Sequence, residues 1–474
     1  MIYWAIMAAT AGAMLGGGAA VQKLMGLLVC SVLVRLYGPA LLGPLLALAV
    51  LLPEAGGARP AALPLITLLL WPLAVQTLLA RDRSMLGYPP VRGLLALCAA
   101  GALAAVLGLL ARRADPSTVL FEAFQPHVHM LAFVVFAWPT GRLRQPAPSS
   151  APAHMPLPWI AGGAVVVGGL GIAQLLGGEP VIAALAGPSG AIGYPERDVV
   201  TVSQQIWWGV RKAYGTFFSP NGLGAAAAFT LVSAVAHLAG TRPVRPWIWR
   251  VTAVVSGAVL VGTFSRAALV AGVCGLLLLA VAVRRRATRR VVTAVVAFAC
   301  ALPVLQARLL VSAPDVVSTS DAPNVATTIK AQTASMKIDE ISRAISMFSA
   351  GHWLGSGYGV IYEPGLGFVP DARSIGVSPV AAEIVYRSGV PGLVALAMAL
   401  VAFASLLVRA GRLDALLAGR PHTAVLPLTL ALCTALVLSL IDHPFYTVPG
   451  LSVLFWAAWG LLARHDPLRP QAGR

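Results

Sequence analysis

The chain of 474 residues is 58% hydrophobic and only 11% charged. Soluble domains carry about 25% charged residues, so this composition excludes an ordinary globular protein and predicts an all-α polytopic membrane protein. The formal net charge of +17 comes from basic residues in short loops between apolar runs, without the interleaved aromatic side chains that would suggest nucleic acid as a partner.

Apolar runs that are broken by proline, glycine and charged residues predict 12 to 14 transmembrane helices. Five cysteines are scattered in these runs without a Cys-x-x-Cys spacing, which predicts neither a disulfide nor a metal site. The predicted spans are residues 1–17, 22–37, 39–54, 61–80, 91–111, 118–139, 156–178, 221–240, 246–263, 265–283, 290–307, 379–409, 422–441 and 444–463.

The arginines between the spans predict which loops are cytoplasmic. The strongest marker is the basic run 284–290, and counting spans from it places the other arginine-rich loops and the tail on the same side. One pair, Arg112 and Arg113, falls on the opposite side. The chain then divides into N-terminal helices (1–178), an extracytoplasmic segment (179–220), central helices (221–307), a large extracytoplasmic loop (308–378) and C-terminal helices with a cytoplasmic tail (379–474).

Arg266 is the only charged residue in the apolar run 251–283. The run is too long for one span of about 20 residues, so we expect two helices with a break near Gly262 to Arg266. A charge at membrane depth is costly and is by default a candidate functional group; the alternative is an arginine that extends to lipid headgroups. In the predicted topology the Ser265-Arg266 turn lies on the extracytoplasmic face.

The large loop contains a predicted amphipathic helix over residues 327–350, which we expect to lie over the membrane face. The helix ends at a turn with Gly355, Gly357 and Gly359 at alternate positions. Such glycines let the backbone turn tightly or approach a ligand closely. The spacing and context are not those of a nucleotide-binding motif.

Three arginines share the predicted extracytoplasmic face: Arg211, Arg266 and Arg343. The planar guanidinium matches phosphate oxygens, so this group predicts a site for an anionic, lipid-linked ligand. Ser265 would cap the following helix, whose first amides add partial positive charge. The alternative is that each arginine pairs with a carboxylate or a headgroup.

Four segments of this region form a pattern: residues 211–221 (RKAYGTFFSPN), 263–268 (TFSRAA), Arg343 with 354–359 (LGSGYG), and 383–393. In this order and spacing they resemble the O-antigen ligase and polymerase superfamily, which are bacterial inner-membrane glycosyltransferases of the C-type architecture. The resemblance implies transfer of a glycan from an undecaprenyl-diphosphate carrier to a hydroxyl of a lipid or glycan acceptor outside the cytoplasm, without a metal or other cofactor. It also implies that Arg211 and Arg266, with Arg343, bind the donor diphosphate.

The chain departs from the family at Ser378-Pro379, where the family commonly has His-Asn. That histidine is the usual candidate for activating the acceptor, and a serine hydroxyl is hardly ionised near neutral pH. Asp442 and His443, which open the last span at its outer end, are the substitutes that we favour; a helix cap or solvated terminus is the alternative. Other candidates for the base are His352, Glu363 and Asp371.

Two other functions fit the same pattern. Arginines near the membrane and glycine-broken helices also suit an exporter of a lipid-linked or organic anion, although no convincing internal repeat supports it. The missing histidine suits a catalytically inactive component of a polysaccharide assembly. Within the glycosyltransferase hypothesis, both ligation of a finished polymer and polymerisation of repeat units stay open.

Overall fold

The computed structural model is mostly helical, as the sequence predicts. Among the residues described, four helices are long and apolar enough to cross a membrane, and eight shorter helices are also apolar. These features are those of an all-α membrane protein. The structure describes residues 7, 20–51, 65–79, 83–138, 157–177, 213, 215–217, 220–240, 245–283, 293, 342–370, 380–411, 425–442 and 444–470.

Each of these four long and eight shorter apolar helices coincides with one predicted span. The predicted spans 1–17 and 290–307 lie outside the described residues except for the single positions 7 and 293. The helices are α1 Ala20–Tyr37, α2 Leu42–Leu51, α3 Leu65–Leu79, α4 Pro89–Val106, α5 Pro116–Ala137, α6 Leu157–Gly177, α7 Pro220–Gly240, α8 Pro246–Gly262, α9 Arg266–Ala282, α10 (residues 342–349), α11 Val380–Arg409, α12 Leu426–Ile441, α13 Pro444–Thr447 and α14 Pro449–Ala463.

Proline starts many of these helices, because its missing N–H is not needed in the first turn and its φ suits a helix. Pro89, Pro116 and Pro246 each stand at this position. A side-chain cap reinforces α5, where Asp115 accepts a hydrogen bond of 2.8 Å from Thr118 N. The local sequence thus defines where the spans begin.

Glycines allow the helices to pack closely, as is usual between membrane helices. A Cβ added at Gly93 of α4 would lie 2.8 Å from the Cα of Ala399 in α11. Gly460 of α14 lies directly against the backbone of Phe133 in α5. Aromatic rings fill the adjoining space, with Phe133 and Trp459 both packed on Phe403.

One end of the helices, called here the tail end, is formed by residues 83–88, 138, 409–411 and 464–470. Asp466 accepts hydrogen bonds from Tyr88 (2.7 Å) and Arg409 (2.9 Å). Arg464 donates to the Phe136 carbonyl, so the tail also covers the last turn of α5. These are all segments that the sequence predicts to be cytoplasmic, and the structure brings them together.

The opposite end, called here the loop end, is formed by residues 112–115, 213, 215–217, 263–265, 342–370, 442 and 444–447. A short antiparallel hairpin lies there, with strands β1 Val360–Glu363 and β2 Gly367–Pro370. The predicted amphipathic helix is described only over residues 342–349, where the helical assignment is confirmed.

Arg112 lies at the loop end, which explains why it departs from the charge pattern of the other loops. Its guanidinium stacks 3.4 Å above the ring of Phe368 in β2. Burial lowers its pKa. Arg112 therefore has a packing role against the hairpin, and Arg113, which adopts a positive φ of 54°, completes the turn into α5.

Candidate functional site

The predicted break in the run 251–283 is confirmed as a tight turn between α8 and α9. Phe264 adopts a positive φ of 54°, and the Ser265 hydroxyl accepts a hydrogen bond of 3.4 Å from Ala268 N. Arg266 is the first residue of α9 and its side chain is exposed. Among the described residues it has no ion-pair partner. Its positive charge therefore lies at the positive end of the α9 dipole without a carboxylate from these residues to compensate it.

Ala213 packs against this turn, and residues 215–217 follow it. Ala213 N donates a hydrogen bond of 2.9 Å to Gly262 O. Gln174 at the end of α6 holds Gly215 by two bonds, accepting from its N–H at 2.8 Å and donating to its carbonyl at 2.9 Å. The Thr216 hydroxyl is buried and has no hydrogen-bond partner within the described part of the chain.

Arg211 lies outside the described residues, two positions before Ala213 in the sequence. Its predicted role at the diphosphate stays a prediction. The structure does place Ala213, whose N–H is bonded to the Gly262 carbonyl just before the Ser265-Arg266 turn.

Asp442 packs on α7 at nearly the same level as this turn. It follows the last residue of α12, is 9% exposed, and accepts a hydrogen bond of 3.2 Å from Asn221 Nδ2 in the first turn of α7. One turn further along α7, a Cβ on Gly224 would lie 3.0 Å from that of Ser265. The carboxylate of Asp442 is therefore about one helical turn, roughly 5 Å along the α7 axis, from the level of the Ser265-Arg266 turn.

A second group of charged side chains lies at the loop end, around Arg387 in α11. Arg387 is 1% exposed and donates to Glu383 Oε1 at 3.0 Å and to the Val360 carbonyl at 2.7 Å. Its other nitrogen lies 3.7 Å from Glu122 Oε2, which also accepts a bond of 2.8 Å from Gly359 N. Arg387 thus joins α5 and α11 to the large loop.

Tyrosines extend this cluster. The hydroxyls of Tyr358 and Tyr446 are hydrogen-bonded to each other, and burial raises the pKa of Tyr358 to about 12. The Tyr386 hydroxyl accepts a bond of 2.7 Å from Tyr362 N at the hairpin. Tyr446 belongs to α13, which follows Asp442, so the Arg387 cluster is connected to the corner that carries Asp442.

The three glycines of the loop turn have positive φ angles of 84°, 82° and 76° for Gly355, Gly357 and Gly359. Each is in close contact with other parts of the protein. A Cβ on Gly355 would lie 2.6 Å from Arg387 O, and one on Gly357 would lie 2.8 Å from Gly108 N. The close approach that these glycines permit in the structure is to the protein's own helices.

Arg343 lies on the side of the Arg387 cluster, not at the Ser265-Arg266 turn. It is on α10 and partly exposed, and its charge lies near enough to Tyr386 to act on that hydroxyl. On the same helix Met347 is fully buried and packs with Tyr362 and Tyr386.

The remaining candidates for the base divide into two groups. His352 is packed against the rings of Tyr362 (5.5 Å) and Phe368 (4.9 Å), and Glu363 pairs with Gly367 in the hairpin. His443 and Asp371 lie outside the described residues, as does Ser378, which occupies the family's histidine position and is not a candidate for the base.

Sequence reasoning missed the roles of Gln174, Glu122 and Arg387. Two signals for them are present in the sequence. Glu122 is an acidic residue in a predicted span, and an ionisable group there is a candidate functional residue with a partner. Glu383 and Arg387 have the i, i+4 spacing that brings opposite charges together on one helix face. No comparable pattern points to Gln174.

Within the described ranges, no group of three or more His, Cys, Asp or Glu residues has the arrangement of a metal site. No protein-family model matches the chain, and no curated protein matches it. The functional argument therefore depends on the residues at the loop end.

Proposed function

We propose that the protein is a membrane glycosyltransferase that moves a glycan from a polyprenyl-diphosphate carrier to an acceptor hydroxyl at the loop end. The observation that carries the proposal is the convergence of three parts of the chain there: the Ser265-Arg266 turn, Ala213 with residues 215–217, and the Asn221–Asp442 pair. Two of these segments are among those that resemble the O-antigen ligase and polymerase superfamily.

The cationic side of the site would bind the diphosphate. Arg266 offers an exposed guanidinium at the start of α9, where the free backbone amides add partial positive charge. The Thr216 hydroxyl, three residues after Ala213, is buried without a partner in the described part of the chain, and the proposal assigns it to the ligand as a further donor. Arg211, two residues before Ala213, is the second guanidinium that the proposal assigns to the diphosphate.

In the proposed step the acceptor oxygen attacks the anomeric carbon of the donor sugar. The bond from that carbon to the diphosphate oxygen breaks, and the polyprenyl diphosphate leaves with the electron pair. The arginines stabilise the charge that develops on the leaving group. The acceptor proton passes to the Asp442 carboxylate or to the His443 imidazole, and the hydrogen bond from Asn221 orients that carboxylate.

The test uses purified protein with a lipid-linked glycan and an acceptor. We expect Arg266→Ala to lower transfer by about 100-fold or more, because one group that stabilises developing charge is worth about 2.7 to 4 kcal/mol. Asp442→Asn should lower the rate while retaining donor binding. Arg113→Gly is the matched control, since it removes an exposed arginine of the loop end at a position whose positive φ suits glycine.

Full activity in both Arg266→Ala and Arg211→Ala would refute the assignment. Flux of an anionic lipid or organic anion across proteoliposomes, without any covalent change, would support the exporter instead. Donor binding without transfer or flux would support an inactive assembly component.

A further inference from the structure

The large loop exposes two large apolar side chains at one place. Trp353 is 60% exposed and Leu354 is 50% exposed, although the residues that follow them, 355–360, are buried. The Trp353 ring packs beside that of Phe348 in α10, with 6.1 Å between centroids. We call Trp353 and Leu354 the apolar turn.

Helix α11 shows where the apolar part of the membrane ends. The helix bends at Gly389, which has φ 61° and ψ −146°. From Val390 to Arg409 the helix is about 20 residues and therefore about 30 Å long, which is the thickness of the hydrocarbon core. At its far end Arg409 is ion-paired with Asp466 of the tail.

The two sides of the bend differ in chemistry. Before it, α11 buries the polar side chains of Glu383 and Arg387 against the loop. After it, α11 presents an uncharged apolar strip on its exposed face, which in a spanning helix faces lipid. The exposed members of the strip are Val390, Leu393, Val394, Met398, Leu400, Val401 and Val408.

The apolar turn is attached at this boundary. Val390 N, the first amide after the bend, donates a hydrogen bond of 2.9 Å to Trp353 O. The exposed surface of Trp353 and Leu354 thus continues the lipid-facing strip at its upper limit. Tryptophan is enriched at this depth in membrane proteins because its ring is apolar and its N–H is polar.

We propose that the apolar turn inserts into the interfacial region of the lipid leaflet at the loop end. Lipid covers Trp353 and Leu354 there and anchors the large loop to the bilayer. The anchor holds the glycine turn and the Arg387 cluster at the level of the lipid headgroups. This inference depends on the membrane location of α11 and is independent of the reaction proposed above.

The test is the depth of a nitroxide label at Leu354→Cys, with the native cysteines replaced by alanine, in vesicles of phosphatidylethanolamine and phosphatidylglycerol. We expect the ratio of collisions with oxygen, which enters lipid, to collisions with a water-soluble nickel chelate to be several-fold higher than at Ser349→Cys. Ser349 is an exposed polar position on the neighbouring helix. Leu400→Cys, in the middle of the strip, should give a still higher ratio.

Two results would overturn the proposal. A label at position 354 that meets the chelate as often as one at Ser349 would place the turn in water. A label that neither reagent reaches would show that protein covers the turn. A second measurement needs no cysteine variant and uses lipids brominated near the headgroup, which quench nearby tryptophan emission. The quenched fraction of the emission should be smaller in Trp353→Phe than in the parent protein. Equal quenched fractions would contradict insertion.

Discussion

Replacing Arg387 by methionine should release the large loop from the helices. Arg387 is buried, and its guanidinium satisfies Glu383 Oε1 at 3.0 Å and the Val360 carbonyl at 2.7 Å. Removing one partner of a buried ion pair costs about 3–5 kcal/mol, because the remaining charge has lost its compensation. Methionine keeps the apolar bulk, so little of this loss comes from a cavity.

The loss should appear locally, at the backbone bonds that attach the loop. Ser356 N and Gly357 N donate to the carbonyls of Tyr386 and Arg387. If opening of the loop becomes easier by about 3–5 kcal/mol, hydrogen exchange of these amides should accelerate by roughly 150- to 4,000-fold. Exchange measured by mass spectrometry on the peptide 352–363, in detergent or nanodiscs, tests this directly.

A matched control exists at the tail end. Arg409→Met breaks the ion pair with Asp466 and should accelerate exchange in residues 464–470 without affecting the loop. The double variant Arg387→Met with Glu383→Gln should recover part of the protection, because the uncompensated carboxylate is also removed. Unchanged exchange in the 352–363 peptide of Arg387→Met would refute the idea that this cluster holds the loop.

Three further predictions concern other parts of the structure. Thr216→Val removes a buried donor without a partner, so the free energy of unfolding should stay unchanged or rise by about 1 kcal/mol in thermal unfolding. The same substitution should weaken binding of a polyprenyl diphosphate by about tenfold. A destabilised protein with unaltered binding would contradict the role of Thr216. Gly357→Ala should accelerate proteolysis of the loop, because φ is 82° and the new Cβ would lie 2.8 Å from Gly108 N, and resistance equal to the parent would contradict it. Burial opposes ionisation of Asp466, but bonds from Arg409, Tyr88 and Leu468 N outweigh it and lower its pKa. Its stabilisation is thus complete above the unfolded pKa of about 3.9 and is lost as pH falls through the lower folded pKa, so exchange of the tail should rise only below about pH 4.

The positions of the spans were predictable because hydrophobic run length and proline punctuation are local signals. The break at Ser265-Arg266 was predictable for the same reason, since the run 251–283 exceeds one bilayer thickness. The partner of Asp442 was not, because Asn221 is remote in sequence and only the packing of α7 on α12 brings the two together. Only the Glu383–Arg387 pair of the Arg387 cluster has a local spacing in the sequence. The cluster as a whole was missed because Glu122 in α5 and the Val360 carbonyl in the loop are remote in sequence, and only the packing brings them to Arg387.

Tyr446 joins two parts of the loop end. Its hydrogen bond to Tyr358 ties α13, the short helix after Asp442, to the loop that Arg387 holds. Any coupling free energy between the two parts of the loop end is the same in both directions. If a ligand beside Asp442 shifts α13 and thereby loosens the contacts of the large loop, loosening those contacts must weaken that ligand's binding by the same free energy. We therefore expect hydrogen exchange in the loop and ligand affinity beside Asp442 to change together.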